Sequence, residues 1–165
     1  SEFFLLGAWP IPLGVDTLYR NTWLVSMSRS QLKSHHHCVF NMKYHLVLVS
    51  KYRRKCFTDE ILTRLQAILE NLCEAWSVDL LEFNGEVDHV HLLLELHPGV
   101  MPSQLINNLT TVTRRLLRKE YGDHFAKFYW KKPGIWTRAY CLLTVGGAPL
   151  EVLKKYIQDQ ERPEP

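Results

Sequence analysis

Two histidines separated by a single residue, His89 and His91, sit in the run Asp88-His89-Val90-His91-Leu92-Leu93-Leu94-Glu95. Side chains alternate along an extended chain, so Val90, Leu92, Leu94 and Leu96 share one face. His89, His91, Leu93 and Glu95 share the other. The first set is a core stripe. The second places two imidazoles about 6–7 Å apart along a strand. Neutral imidazoles at that spacing can hold a divalent ion if a further ligand arrives from elsewhere in the fold. Half-buried strand histidines with no ligand role give the same pattern, and the pair alone leaves both readings open.

The seven tyrosines differ in their surroundings. Tyr44 and Tyr140 fall in strand-like runs among core residues, where tyrosine is ordinary packing. Tyr52 and Tyr129 sit in basic stretches and suit base stacking. Tyr156 and Gln160 stand at i and i+4 near the C-terminus, on a helix whose apolar stripe is Leu150, Leu153 and Ile157. Both lie off that stripe and on one side of the helix.

Cations cluster at three places. Lys51-Tyr52-Arg53-Arg54-Lys55 follows a strand directly, a composition suited to a phosphate backbone with a stacked base. Arg114, Arg115, Arg118 and Lys119 give the last turns of a helix a positive face. Such a face is also favoured by the helix dipole alone. Phe128-Tyr129-Trp130-Lys131-Lys132 and Ile135-Trp136-Thr137-Arg138 again mix aromatics with cations. Each of these is open to a bland reading as a solvated basic surface.

The chain has 165 residues, 46% of them hydrophobic and 22% charged, with a formal net charge of +3. That suffices for one globular domain with a sizeable core and argues against disorder. Net charge alone does not mark a nucleic-acid binder, so the local clusters must carry that reading. No apolar run reaches the roughly 18–20 residues that span a bilayer. Cys38, Cys56, Cys73 and Cys141 are scattered without a C-x-x-C pair, which favours reduced thiols and a cytoplasmic setting over a disulfide framework.

The elements that must position these groups follow in order. Residues 1–34 form an extension of unknown role: Pro10, Pro12 and Gly14 break an apolar stretch that lacks a basic flank. Ser1-Glu2-Phe3 reads as a cloning remnant and Met27 as a natural start. His35-His36-His37 is a poor metal site, because neighbours on an extended chain point to opposite sides. The functional domain is expected over 35–165. A strand is predicted over 42–50 and a helix over 59–76, capped by Thr58 or Asp59. Strands over 78–85 and 89–96 follow, paired through Glu86-Val87-Asp88. A second helix, capped by Ser103, runs to about residue 121, with Leu105, Leu109, Val112, Leu116 and Leu117 as its buried face. A fourth strand over 139–145 ends at Gly146-Gly147, and Pro149 opens a final helix over 150–160. The order β-α-β-β-α-β-α gives an α+β fold, a split βαβ antiparallel sheet with packed helices. The first strand, with no flanking strand in sequence, is expected to leave an edge open to a second copy.

These residues resemble the single-tyrosine HUH transposases of the insertion-sequence two-hundred (IS-200-like) type. The matching blocks begin with Tyr44-His45-Leu46-Val47, Lys51-Tyr52-Arg53-Arg54-Lys55 and Asp88-His89-Val90-His91-Leu92. Leu117-Arg118-Lys119-Glu120, Trp136-Thr137-Arg138-Ala139-Tyr140 and Thr144-Val145-Gly146-Gly147 follow. Lys154-Lys155-Tyr156-Ile157-Gln158-Asp159-Gln160 completes them. The match runs over about 42–160 with the blocks in order. The resemblance implies a ferredoxin-like sheet, His89, His91 and Gln160 as metal ligands, and Tyr156 as nucleophile. It implies Mg2+ or Mn2+ as cofactor and single-stranded DNA with a hairpin at the element's end as substrate. It also implies a homodimer, with each tyrosine helix serving the metal site of its own chain or of the other. Val87 replaces a frequent proline, and Thr110 a frequent lysine.

The implied reaction cuts DNA without hydrolysis. A tyrosine oxygen attacks phosphorus, leaving a 5′-phosphotyrosine and a free 3′-hydroxyl, and reversal with another 3′-hydroxyl rejoins strands. Only about one tyrosine in a thousand is ionised at neutral pH, so metal assistance and a nearby cation such as Lys154 or Lys155 fit the need. Arg114, Arg118, Lys119 and Arg138, with 51–55, would hold the nucleic acid. The alternatives are a non-catalytic or domesticated single-stranded nucleic-acid-binding protein of the same fold, or a nickase, which normally comes on a longer chain.

Overall fold

The computed structural model describes residues 33–35, 38–130, 134–145, 155 and 158. The chain divides into two units, residues 1–39 and 40–165. In the described part of the first, β1 (Lys33–His35) pairs with the start of β2 (Cys38–Phe40) in a two-stranded sheet.

The second unit is built on a four-stranded antiparallel sheet of β3 (Lys43–Ser50), β4 (Asp79–Gly85), β5 (His89–Glu95) and β6 (Trp136–Thr144). The spatial order is β4-β5-β3-β6. With the intervening helices this is the α+β, ferredoxin-like arrangement expected. The first long strand, however, is not an edge. β3 pairs with β5 on one side and β6 on the other, and among the described strands β4 and β6 form the edges. The crossover through the second helix returns the chain beside β3, a pairing that sequence adjacency does not reveal.

Helix α1 (Asp59–Ala75) starts where Thr58 Oγ1 accepts a hydrogen bond from the Ile61 amide at 3.4 Å. Its buried residues Ile61, Leu65, Ile68, Leu69 and Cys73 recur at helical spacing. Helix α2 (Pro102–Glu120) begins with proline as its first residue rather than on a Ser103 cap. Leu105, Ile106, Leu109, Thr113 and Leu117 are its buried face, and Val112 and Leu116 are only half-buried. Both helices pack on the face of the sheet that carries Leu46, Leu48, Val90, Leu92, Leu94 and Leu96.

A third helix, α3 (Gly122–Tyr129), occupies a stretch with no element expected and takes in Phe128 and Tyr129 of the basic-aromatic run 128–132. Phe125 and Tyr129, at i and i+4, are both buried in the core. Tyr129 is therefore not a stacking surface: its hydroxyl lies 3.4 Å from Cys56 Sγ and donates to the Ile135 carbonyl at 3.4 Å. Trp136 is also buried, and its Nε1 donates to Thr113 Oγ1 at 3.0 Å, so β6 begins three residues earlier than expected. Tyr140 departs the other way and is 40% exposed. Of the expected final helix only Lys155 and Gln158 are described; both are helical and exposed. Tyr156, Gln160 and the Gly146-Gly147 pair lie outside the described residues. No described helix is long and apolar enough to cross a membrane.

Candidate metal and nucleic-acid site

The face of the sheet opposite the helices carries the histidines. In the β3–β5 register His91 stands opposite Val47 and His89 opposite Val49. Val47, Val49, Cys141 and Leu143 form a small apolar cluster of their own. His89 and His91 are both half-buried. Alternation along β5 thus separates the two faces as the sequence requires.

His89 is held from its Nδ1 side. That nitrogen lies 2.8 Å from Asp88 Oδ1, and Asp88 is itself buried. Burial raises the Asp88 carboxyl, but the His89 hydrogen bond and the adjacent Arg53 charge outweigh it and hold the group below its ordinary 3.8. The carboxylate is therefore ionised at neutral pH and can only accept, so His89 Nδ1–H donates. Its Nε2 lone pair is left for a ligand, the arrangement common among metal-binding histidines.

The other carboxylate oxygen, Asp88 Oδ2, accepts from Arg53 Nε at 3.2 Å and Nη2 at 3.1 Å. Arg53 reaches it from a tight turn, Lys51–Arg53, in which Tyr52 has φ 61° and Arg53 φ 47°. Left-handed backbone at such residues costs about 1–2 kcal/mol each. Three hydrogen bonds tie the turn down: Ser50 N to Asp88 O at 2.8 Å, Lys51 N to Ile135 O at 2.6 Å and Ser50 Oγ to Arg54 O at 2.8 Å. Strain concentrated beside a candidate ligand is a feature of functional sites.

His91 has a different neighbour, which the sequence reading did not single out. Its Nε2 lies 2.8 Å from His45 Nδ1, and the two rings stack at 5.0 Å with 19° between planes. His45 is two residues before Val47 on β3, so alternation places it on the histidine face. The signal was present in the sequence, but it required the β3–β5 register to be seen. Burial first, then the His45 charge, push His91 below its ordinary 6.5, against a smaller opposing pull from Glu82. A neutral imidazole, the form a metal needs, is thereby favoured.

The residues fit a divalent ion in part. Two imidazoles on one face, one with its tautomer set by a carboxylate, suit manganese better than oxygen-loving magnesium. A metal can take His91 through Nδ1, or through Nε2 by displacing His45. Among the described residues no group of three or more His, Cys, Asp or Glu is placed to hold an ion. Gln160, the third ligand implied by the resemblance, lies outside them.

The basic residues separate into groups. Arg114 and Arg138 line one cavity of about 290 Å³ with Asn107, Thr110, Trp136 and Tyr140. Leu48, on the helix-covered face, also lines it, so this cavity and the histidines lie on opposite faces of the sheet. Gly134 is in its wall, and a Cβ there would meet Lys51 Cδ at 3.1 Å, which places Lys51 at its margin. Thr110 Oγ1 donates to the Ile106 carbonyl at 2.9 Å. Tyr52 is exposed with Lys51 Nζ 5.2 Å from its ring centre, and Arg54 and Lys55 are exposed. Lys119 is exposed and Arg118 half-buried, and neither lines the cavity.

The family model for IS200-like transposases matches residues 38–160. The transposase of insertion sequence IS200 from Salmonella typhimurium (strain LT2) is 35% identical over 128 residues, covering 78% of this chain and 82% of that protein. The ISDra2 transposase TnpA of Deinococcus radiodurans is 27% identical over 122 residues, covering 74% of this chain and 86% of that protein. A Deinococcus radiodurans R1 crystal structure, provisionally assigned as a transposase, superposes with a TM-score of 0.72 at 26% identity. It covers 79% of this chain and 99% of that one. The chain belongs to the IS200-like transposase family.

Proposed function

We propose that this transposase cuts and rejoins single-stranded DNA at the ends of its insertion sequence through a 5′-phosphotyrosine at Tyr156. The observation that carries the reading is His89 beside His91 on one sheet face, with the His89 tautomer set by Asp88 at 2.8 Å. His89, His91 and Gln160 would hold Mg2+ or Mn2+. When bound, the ion neutralises a non-bridging phosphate oxygen and eases departure of the 3′-oxygen. Tyr156 contributes the attacking oxygen and retains the phosphodiester energy as a covalent bond, so rejoining needs no ATP. Its proton passes to solvent, and Lys154 or Lys155 favours the phenolate.

The buried Tyr129 is unsuited to that role, because burial and its bond to Cys56 push its phenol well up. Lys51, Arg114 and Arg138, gathered around one cavity, support phosphate binding. Exposed Tyr52 with Arg54 and Lys55 supports stacking on an unpaired base. The substrate is read as a hairpin-bearing single strand in the cytoplasm. The working unit is read as a homodimer with the tyrosine helix crossing to the partner's histidines. Because β3 is enclosed, β4 and β6 are the described strand edges open to pairing.

The test is cleavage of single-stranded DNA carrying the element's own end. Manganese should support cutting, and chelation or His91→Ala should abolish it while hairpin binding persists. Undiminished cutting in chelator would overturn the metal-assisted reading. Binding without any cutting by the wild-type chain would favour a non-catalytic role.

A further inference from the structure

We infer that Arg53 and Asp88 are positioning residues of the metal site, and that Arg53 serves His89 rather than DNA. Arg53 lies in the basic run 51–55, whose composition suggests nucleic-acid contact for every member. The geometry sets it apart from its neighbours. Its Nε and Nη2 both donate to one oxygen, Asp88 Oδ2, while Oδ1 of the same carboxylate takes His89 Nδ1–H. The side chains of Arg53 and Asp88 are only 20% and 12% exposed, whereas Arg54 and Lys55 are exposed.

Each part of the relay has a distinct task. Asp88 fixes the His89 ring plane and keeps the proton on Nδ1, so that Nε2 is the coordinating atom. Arg53 fixes the carboxylate, which would otherwise rotate about its own side-chain bonds, and stabilises its charge in a buried setting. The Asp88 main chain is pinned as well, because its carbonyl accepts from Ser50 N at 2.8 Å. The strained turn is thus coupled to the candidate ligand by main chain and side chain together. Outer partners of this kind typically change metal affinity by 10–100-fold when removed.

The inference rests on the reading of His89 as a ligand, and the experiment separates the two. Manganese affinity of the full chain is measured without DNA by calorimetry or by the free-ion electron paramagnetic resonance signal. Wild type, His89→Ala, Asp88→Asn, Arg53→Gln and Arg53→Lys are compared. Hairpin affinity of each is measured in chelator. Asp88→Asn is expected to weaken manganese binding about tenfold or more. Arg53→Gln should weaken it several-fold, with partial rescue by Arg53→Lys, which restores charge without the planar fork. Hairpin binding in chelator should hold throughout.

The nitrogen shifts of His89 in the metal-free protein give a readout that general destabilisation does not mimic. Wild type should show the Nδ1–H tautomer alone and Asp88→Asn a mixture. Asp88→Asn preserves shape, so it remains informative if Arg53→Gln fails to fold. Unchanged manganese affinity in Asp88→Asn, with loss in His89→Ala, would overturn the relay while the metal reading stands. Unchanged affinity in His89→Ala would overturn both. Weakened hairpin binding by Arg53→Gln in chelator, with normal manganese affinity, would return Arg53 to the DNA surface.

Discussion

His45 and His91 share one short contact, Nδ1 to Nε2 at 2.8 Å, between stacked rings on neighbouring strands. One proton suffices for that bond, and a second, on the accepting nitrogen, would make that ring a cation and set two N–H groups against each other. His91 is accordingly held below its ordinary 6.5, by burial first and by His45 next. The unfolded chain then takes up a proton before the folded one does. The associated stability is complete above about 6.5 and is lost as pH falls through the folded value. His45→Phe keeps a ring and the burial but removes the charge. His91 should then titrate at higher pH than in wild type while remaining below 6.5. The acid edge of manganese binding should move up with it. Proton NMR of the His91 ring in metal-free protein checks this, and an unchanged or lower value would contradict it.

Asp88 carries a separate acid limb. Its carboxyl is held below 3.8 in the folded protein, so its stabilisation is present above that value and lost as pH falls through the folded one. Asp88→Asn should cost about 1–3 kcal/mol at neutral pH, the scale of a disrupted buried hydrogen bond. The difference from wild type should shrink at a pH below 3.8, as the folded value is approached and the wild-type carboxyl protonates. Urea unfolding at the two pH values measures it. A constant difference would show that the carboxylate charge is not what stabilises the site.

The two faces of the sheet should respond differently to truncation. Leu92 is fully buried against the helices, whereas Leu81 is 43% exposed where the β4–β5 register shifts. Leu92→Ala should cost about 2–5 kcal/mol and Leu81→Ala about 0.5 kcal/mol or less. Both are read from urea midpoints at unchanged slope. Similar costs at the two positions would mean that the outer face of β4 is covered by a partner.

Much of this architecture is legible in the sequence because it depends on local periodicity. The stripe Val90, Leu92, Leu94 and Leu96 and the Ile61–Leu65–Ile68–Leu69 face each identify their element and its buried side. Long-range pairing is not local, and this is where the expectations fail. No feature of residues 42–50 says that β6 will return beside them, so β3 reads as an edge strand, and the His45–His91 pair emerges only with the β3–β5 register. The helix Gly122–Tyr129 is hidden for another reason: its core residues are only Phe125 and Tyr129, at i and i+4, too few for a helical stripe, and Tyr129 falls in the basic-aromatic run 128–132. Arg53 is indistinguishable by composition from Arg54. Only the left-handed turn at Tyr52 and Arg53 separates them, directing one to Asp88 and leaving the other exposed.

Crossing of the tyrosine helix between chains is tested by mixing. A Tyr156→Phe chain lacks the proposed nucleophile, and a His89→Ala chain lacks a proposed ligand. Their heterodimer should regain one complete site, and therefore about half the wild-type cleavage at equal dimer concentration. No recovery, with heterodimer formation confirmed by differently sized tags, would place the whole site within one chain.

A covalent bond between DNA and Tyr156 is the step on which the proposed reaction turns. Wild-type protein is incubated with manganese and a single strand carrying its element's end, and the denatured products are digested for mass spectrometry. A nucleotide adduct should appear on the peptide containing Tyr156, with the 3′-hydroxyl fragment released. Tyr156→Phe removes only the phenolic oxygen and should abolish the adduct while hairpin affinity stays within about twofold of wild type. An adduct that persists in Tyr156→Phe, or that maps to another residue, would contradict the assignment.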